Sequence, residues 1–186
     1  MLLDSELGWL VGFIEGEGCF CMTHKTSGTK NSVHCSFNVT NTDQLLIQKS
    51  KQIIDEIVGY KVSVIRHPVM KACYKPIWRL WIENCKGLLI FIKTILPHLV
   101  GEKRLQASIM LQFVERRIEL RGKNYKAPRY TEEDWKYLEA MKSAKTVKSV
   151  ETIRFPSQGD EDIVRSEAIT KTSELSGNRI APLLAE

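Results

Sequence analysis

The chain has 186 residues, 43% hydrophobic and 26% charged, which is enough apolar material for one globular core. Its formal net charge of +5 is uneven: residues 151–186 hold four basic and seven acidic side chains, so residues 1–150 carry +8 and suit a polyanionic partner. No apolar run is long enough for a membrane span, Asp4 stands where a signal peptide would be basic, and five cysteines without a C-x-x-C pair argue against a disulfide framework. The expected setting is therefore intracellular, either the cytoplasm of a prokaryote or an organelle.

The N-terminus reads as an apolar helix entered through Asp4 or Ser5 as N-cap. Gly8, Gly12 and Gly16 fall four apart and line one face. Each costs a helix interior about 0.8–1 kcal/mol relative to alanine, so three on one stripe call for a packing reason, such as the close approach of a second backbone. Glu15 and Glu17 then sit at the helix C-terminus, where the dipole disfavours negative charge and a bound cation would compensate it. The plainer alternative is a buried helix that ends at Gly18 with solvated glutamates.

After Gly18 the period changes to two. Phe20 and Met22 alternate with Cys21, Thr23 and Lys25, as in a strand, and residues 26–31 read as a turn or hairpin loop. The cleanest alternation follows: Val33, Cys35, Phe37 and Val39 point one way, and Ser32, His34, Ser36, Asn38 and Thr40 the other. The second face is uncharged and rich in donors and acceptors, the chemistry that pairs with base edges in a major groove; its plainer reading is a solvated sheet face. Cys19, Cys21, His24 and His34 could in principle bind zinc, but C-x-C is a poor spacing for it.

A second helix starts near Asn41 or Thr42 as cap, carries Leu46, Ile53, Ile54 and Ile57 on one stripe, and stops at Gly59. A second strand pair follows. In the first of these strands Val62 and Val64 alternate with Lys61 and Ser63. In the second, Trp78, Leu80 and Ile82 alternate with Ile77, Arg79, Trp81 and Glu83. The link between them holds Lys71 and Lys75, candidate phosphate or base contacts. Residues 87–96 form an apolar helix closed by Pro97, and residues 102–120 a long amphipathic one. A basic connector, residues 121–129, leads to a helix capped by Thr131, with Trp135, Leu138 and Met141 on its apolar side. Beyond Thr146 periodicity fades. Residues 1–146 are thus expected to be the domain and residues 147–186 a poorly packed tail. The element order is α+β, with helices on one face of a twisted antiparallel sheet.

Read letter by letter, residues 10–18 (LVGFIEGEG) resemble the defining motif of the LAGLIDADG homing endonucleases. Leu10, Gly12, Ile14 and Gly18 are identical to it; Val11 and Gly16 stand for alanines, Phe13 for leucine, and Glu15 and Glu17 for the two aspartates. The resemblance implies an αββαββα core with its sheet saddled on double-stranded DNA, and metal-dependent double-strand cleavage at a long pseudo-palindromic site. One motif copy implies the homodimeric branch, with Gly8, Leu10, Val11, Gly12, Ile14, Glu15 and Gly16 at the interface. Glu17 is then the ligand of a divalent ion, Mg2+ or Mn2+, assisted by the Gly16 carbonyl. Asn41 falls where a polar residue orients water, although helix capping is its plainer role, and Lys103 falls where a lysine lies near the scissile phosphate. A further basic position of the family falls near Leu45 and is absent; Arg104 and Lys49 are the available substitutes.

The expected DNA-reading set is Thr23, Lys25, Ser32, His34, Ser36, Asn38, Lys61, Ser63, Arg66, Lys75, Arg79 and Trp81. Two other functions share the scaffold: an RNA-binding intron maturase and a non-catalytic DNA-binding regulator. Glu17 and Lys103 argue against the regulator, because binding alone needs neither.

Overall fold

The structure is a computed structural model and describes residues 2–27, 30–67, 75–121 and 129–146. Lys71, nearly all of the basic connector and the expected tail lie outside the described residues. The elements run α1 (Asp4–Glu17), β1 (Gly18–Ser27), β2 (Lys30–Asn41), α2 (Gln44–Val58), β3 (Ser63–His67), β4 (Ile77–Ile82), α3 (Cys85–Ile95), a 3-10 turn (Leu96–His98), α4 (Gly101–Arg121) and α5 (Glu132–Thr146). This is the expected α+β order. The sheet has four antiparallel strands in the order β1-β2-β4-β3.

The sheet is two-faced because its strands alternate. Phe20, Met22, Val33, Cys35, Phe37, Val39, Leu80 and Ile82 are buried against the helices. Phe37 is central, with ring centroids 5.0 Å from Phe20 and 4.6 Å from Phe91 of α3. Leu10, Val11 and Ile14 of α1, Ile47 and Ile54 of α2, and Phe113 and Val114 of α4 complete this core. The first three, expected at a dimer interface, are instead buried within a single chain because they face the sheet and helices, opposite the glycine stripe. Each such side chain contributes roughly 1.5–3 kcal/mol on burial.

α5 is fastened by a buried polar knot. Asp134, fully buried, accepts from the Thr131 backbone N–H at 2.7 Å and lies 3.3 Å from Arg117 of α4. The Arg117 guanidinium in turn stacks 4.0 Å from the Tyr130 ring centroid, and the Tyr130 hydroxyl donates to the Val33 carbonyl of β2 at 3.2 Å.

Several boundaries differ from the sequence reading. The N-cap of α1 is Leu3, not Asp4 or Ser5, because the Glu6 carboxylate reaches back to the Leu3 N–H at 3.2 Å. The N-cap of α2 is Asp43, whose side chain accepts from the Leu45 N–H at 2.8 Å. Asn41 and Thr42 cap nothing: Asn41 ends β2, and its Oδ1 accepts from the Asp43 N–H at 2.8 Å. The expected loop at residues 26–31 is mostly strand, paired as far as Ser27 with Lys30. Lys61 and Val62 precede β3, and Glu83 follows β4.

Gly18 does not end α1 in a left-handed turn; its φ of −73° and ψ of 148° send the chain straight into β1. Glycine is needed there for space, since a Cβ would lie 2.7 Å from the Ile14 carbonyl oxygen and 2.8 Å from its Cγ2. Gly18→Ala is therefore expected to cost ~1–3 kcal/mol through overpacking, read as a lower midpoint in thermal unfolding.

Candidate active site and nucleic-acid interface

The end of α1 and the start of α4 are held together by two contacts. The Val100 N–H donates to Glu15 Oε1 at 2.7 Å, and the Lys103 ammonium donates to the Gly18 carbonyl. Glu15 therefore works inside the fold. Glu17, two residues on, is exposed and has no hydrogen-bond or ion-pair partner among the described residues. A carboxylate at a helix C-terminus without a counter-charge is electrostatically unfavourable and open to a cation.

Asn41 belongs to the same end of the sheet. Gly18 pairs with Val39 in the β1–β2 register, and Asn41 lies two residues further along β2. Its Oδ1 is occupied by the Asp43 N–H, which leaves the amide NH2 as a donor. Backbone register and the Lys103 contact thus bring the three sequence-predicted residues Glu17, Asn41 and Lys103 to one end of the molecule. Leu45, where the family's further basic residue is absent, is 73% exposed. Of its two substitutes, Lys49 holds its ammonium 4.1 Å from the Trp9 ring centroid of α1, and Arg104 is exposed in the first turn of α4.

Among the described residues no three His, Cys, Asp or Glu side chains converge as a metal-binding group. One copy offers the Glu17 carboxylate and the backbone oxygens of the last turn of α1, Gly16 among them. Magnesium suits such a sparse set, because it keeps several waters and uses one or two carboxylates together with substrate phosphate oxygens.

The register assigns the rest of the predicted residues to faces. Thr23 pairs with His34, Lys25 with Ser32, and Cys21 with Ser36. Trp81 pairs with both Asn38 and Ser63, and Arg79 with Thr40. All of these lie on the face away from the helices. Thr23, Lys25, Ser63 and Arg79 are exposed, and Ser32, His34, Ser36 and Trp81 half-buried. Asn38 is buried, and its Oδ1 accepts from Arg79 Nη2 at 3.4 Å. Arg66, expected among the DNA-reading residues, does not share their face: it pairs with Trp78 on the helix side of the sheet, with its guanidinium 5.8 Å from that ring's centroid. Lys61 and Lys75 are exposed just outside the strands.

His34 Nε2 lies 3.5 Å from the Glu83 carboxylate, but partial burial and the neighbouring Lys25 hold its pKa below the ordinary histidine value. It is then neutral at pH 7, able to donate from one ring nitrogen and accept at the other, and its contact with Glu83 is not a full ion pair.

One cluster was missed in the sequence. The Cys19 and Cys21 sulfurs are 3.3 Å apart, and Lys145 of α5 reaches them at 3.9 and 3.7 Å. A hydrogen bond from the Cys19 thiol, helped by Lys145, lowers the Cys21 pKa to about 5 against the opposing effect of burial. Cys19 is correspondingly raised. The residue i,i+2 spacing was visible, but nothing in the sequence brings Lys145 to it. Cys21 should therefore alkylate readily at pH 6.5, with a rate that falls as pH drops through about 5. Buried Cys35, raised by desolvation, should react only on unfolding. Peptide mapping after iodoacetamide treatment reads both.

No protein-family model matches the chain, and no curated protein matches it either. Solved structures do. The homing endonuclease I-CvuI, in complex with the I-CreI target in the presence of Mg with its DNA not cleaved, aligns over 91% of this chain and 96% of its own at a TM-score of 0.56 and 19% identity. The LAGLIDADG homing endonuclease I-GzeII, in complex with its DNA target, aligns over 84% of this chain and 48% of its own at 0.54 and 14%. The group I intron-encoded homing endonuclease I-CeuI, complexed with DNA, aligns over 64% and 58% at 0.50 and 17%. The chain has the LAGLIDADG homing-endonuclease fold.

Proposed function

We propose that the protein is a site-specific DNA endonuclease that hydrolyses phosphodiesters with a divalent metal, Mg2+ or Mn2+. The observation that carries this reading is the open carboxylate of Glu17, set where the motif helix hands over to a polar sheet face and beside a lysine tied to the next carbonyl. The solved structures of the same fold are DNA complexes, one formed in the presence of Mg and another of Ca. A regulator that only binds DNA has no use for this arrangement.

A bound divalent ion would supply Lewis acidity at the phosphoryl oxygen and a more acidic water. The chain's own residues do the rest. Glu17, with the Gly16 carbonyl, would hold the ion at the end of α1. The Lys103 ammonium places positive charge beside the same turn, where negative charge builds on the phosphate. The Asn41 amide NH2 donates to the oxygen of a water and orients it. The polar sheet face positions the duplex: Lys25, Lys75 and Arg79 supply charge, and Thr23, Ser32, Ser36 and neutral His34 supply groups for base edges.

A single copy presents one such carboxylate, and a double-strand break needs two cuts, so the active form is a homodimer. Gly8, Gly12 and Gly16 are exposed, and a Cβ at any of them would meet nothing within 4 Å in one copy. A second α1 fits there at close approach. In an isolated chain Gly12→Ala should stabilise the helix by ~0.8–1 kcal/mol. In the dimer it should instead weaken self-association, read as a lower dimer fraction in sedimentation. A variant that is more stable and equally dimeric would rule out this interface.

Glu17→Gln keeps the shape of the side chain and removes its charge. Metal-dependent cutting should fall by at least ~100-fold, while duplex affinity stays the same or rises, because a carboxylate near phosphate is repulsive. Glu15→Gln keeps an oxygen for the Val100 N–H and should retain cutting, with a stability loss on the order of 1 kcal/mol. Matched cleavage and binding assays on both variants test the assignment. Full activity in Glu17→Gln, or a folded and binding but inactive Glu15→Gln, would overturn it.

A further inference from the structure

Among the polar and charged side chains of the outer sheet face stand two large apolar ones. Ile65 of β3 is 48% exposed and Ile77 of β4 is 45% exposed. Their places follow from the register. Ile65 pairs with Arg79 and Ile77 with His67, so the two isoleucines are diagonal neighbours on one face. They lie on the same side as Arg79 and Trp81, away from the helices. Ile65 also borders a shallow hollow of about 320 Å³, shared with Asn38, His67, Arg79 and Trp81. High strand propensity explains an isoleucine in a strand, but not its placement on the outer face, which β2 keeps polar.

We propose that Ile65 and Ile77 read the C5-methyl groups of thymines in the major groove. This rests on the DNA-reading role proposed above and extends it to a base preference. The thymine methyl is the only apolar group that the four bases present in that groove. A duplex brought by Lys25, Lys75 and Arg79 onto this face meets the isoleucine pair beside a guanidinium. Apolar contact discriminates thymine from cytosine, while Arg79 remains a donor to an adjacent O6, N7 or O4 acceptor. Loss of one methyl from such a contact is worth roughly tenfold in affinity.

The test uses the full chain and duplexes selected from a randomised pool. Each thymine of a selected duplex is replaced in turn by deoxyuridine, which removes the methyl and leaves base pairing intact. Binding is measured for the natural protein and for Ile65→Ala and Ile77→Ala, with thermal unfolding as the check on folding. The expected result is at least one thymine per half-site where deoxyuridine weakens binding by roughly tenfold. At that position one isoleucine variant should bind thymine and uracil duplexes equally. Selective binding with no response to deoxyuridine anywhere overturns the methyl reading alone, as does a selected site without thymine. The same holds if both alanine variants keep the full response. If the alanine variants fail to fold, Ile65→Val and Ile77→Val take their place, and an unchanged deoxyuridine response in both overturns the methyl reading. Absence of any selective duplex binding overturns the DNA-reading role and this inference with it.

Discussion

The organisation of the molecule depends on how the start of α4 is clamped to the end of α1. Val100 offers an N–H to Glu15, and Lys103 offers its ammonium to Gly18. These two contacts join positions 85 residues apart in sequence. They fix the point at which α1 turns, without a loop, into β1, and Gly18 is the residue small enough to allow it. One acid of the motif is spent on this joint and the other is left open. The division of labour between Glu15 and Glu17 is therefore a matter of hydrogen bonding: the first carboxylate has a partner within the fold, the second has none among the described residues.

From that joint the sheet carries the same asymmetry outward. Its inner face is sealed by Phe20, Phe37 and Phe91 and closed by helices. Its outer face holds hydroxyls, amides, a neutral histidine and cations, none of which the core needs. α5 is tied down on the helix side through Asp134, Arg117 and Tyr130, yet Lys145 near its end reaches Cys19 and Cys21, which the register places on the outer face. A basic side chain from the last described helix thus joins the motif end of that surface.

Much of this was legible in the sequence wherever a period carried it. Strict alternation over residues 32–40 separates the faces of β2, and the glycines at 8, 12 and 16 mark a stripe that the structure leaves open. The motif string points to the fold. Caps were less legible, because Asn41, Thr42 and Asp43 can all compete for the start of α2 and only the folded backbone chooses. Asn41 spends its oxygen on Asp43, and Asp43 caps the helix. Arg66 was expected at the DNA for its charge, although the alternation of Val62 and Val64 with Lys61 and Ser63 already puts residue 66 on the apolar side, where it pairs with Trp78. Contacts between distant positions, such as Lys145 with the cysteines or Asp134 with Arg117, leave no local pattern at all.

The central claim is that the open carboxylate and the polar sheet face form one cutting surface for duplex DNA. Its most direct test is to incubate the full chain with a randomised duplex library and Mg2+, and to sequence the ends produced. The account predicts double-strand breaks within a restricted set of sequences, abolished by a chelator. Duplexes bound selectively but left intact with both Mg2+ and Mn2+, or selective retention of structured RNA in place of duplex, would contradict it.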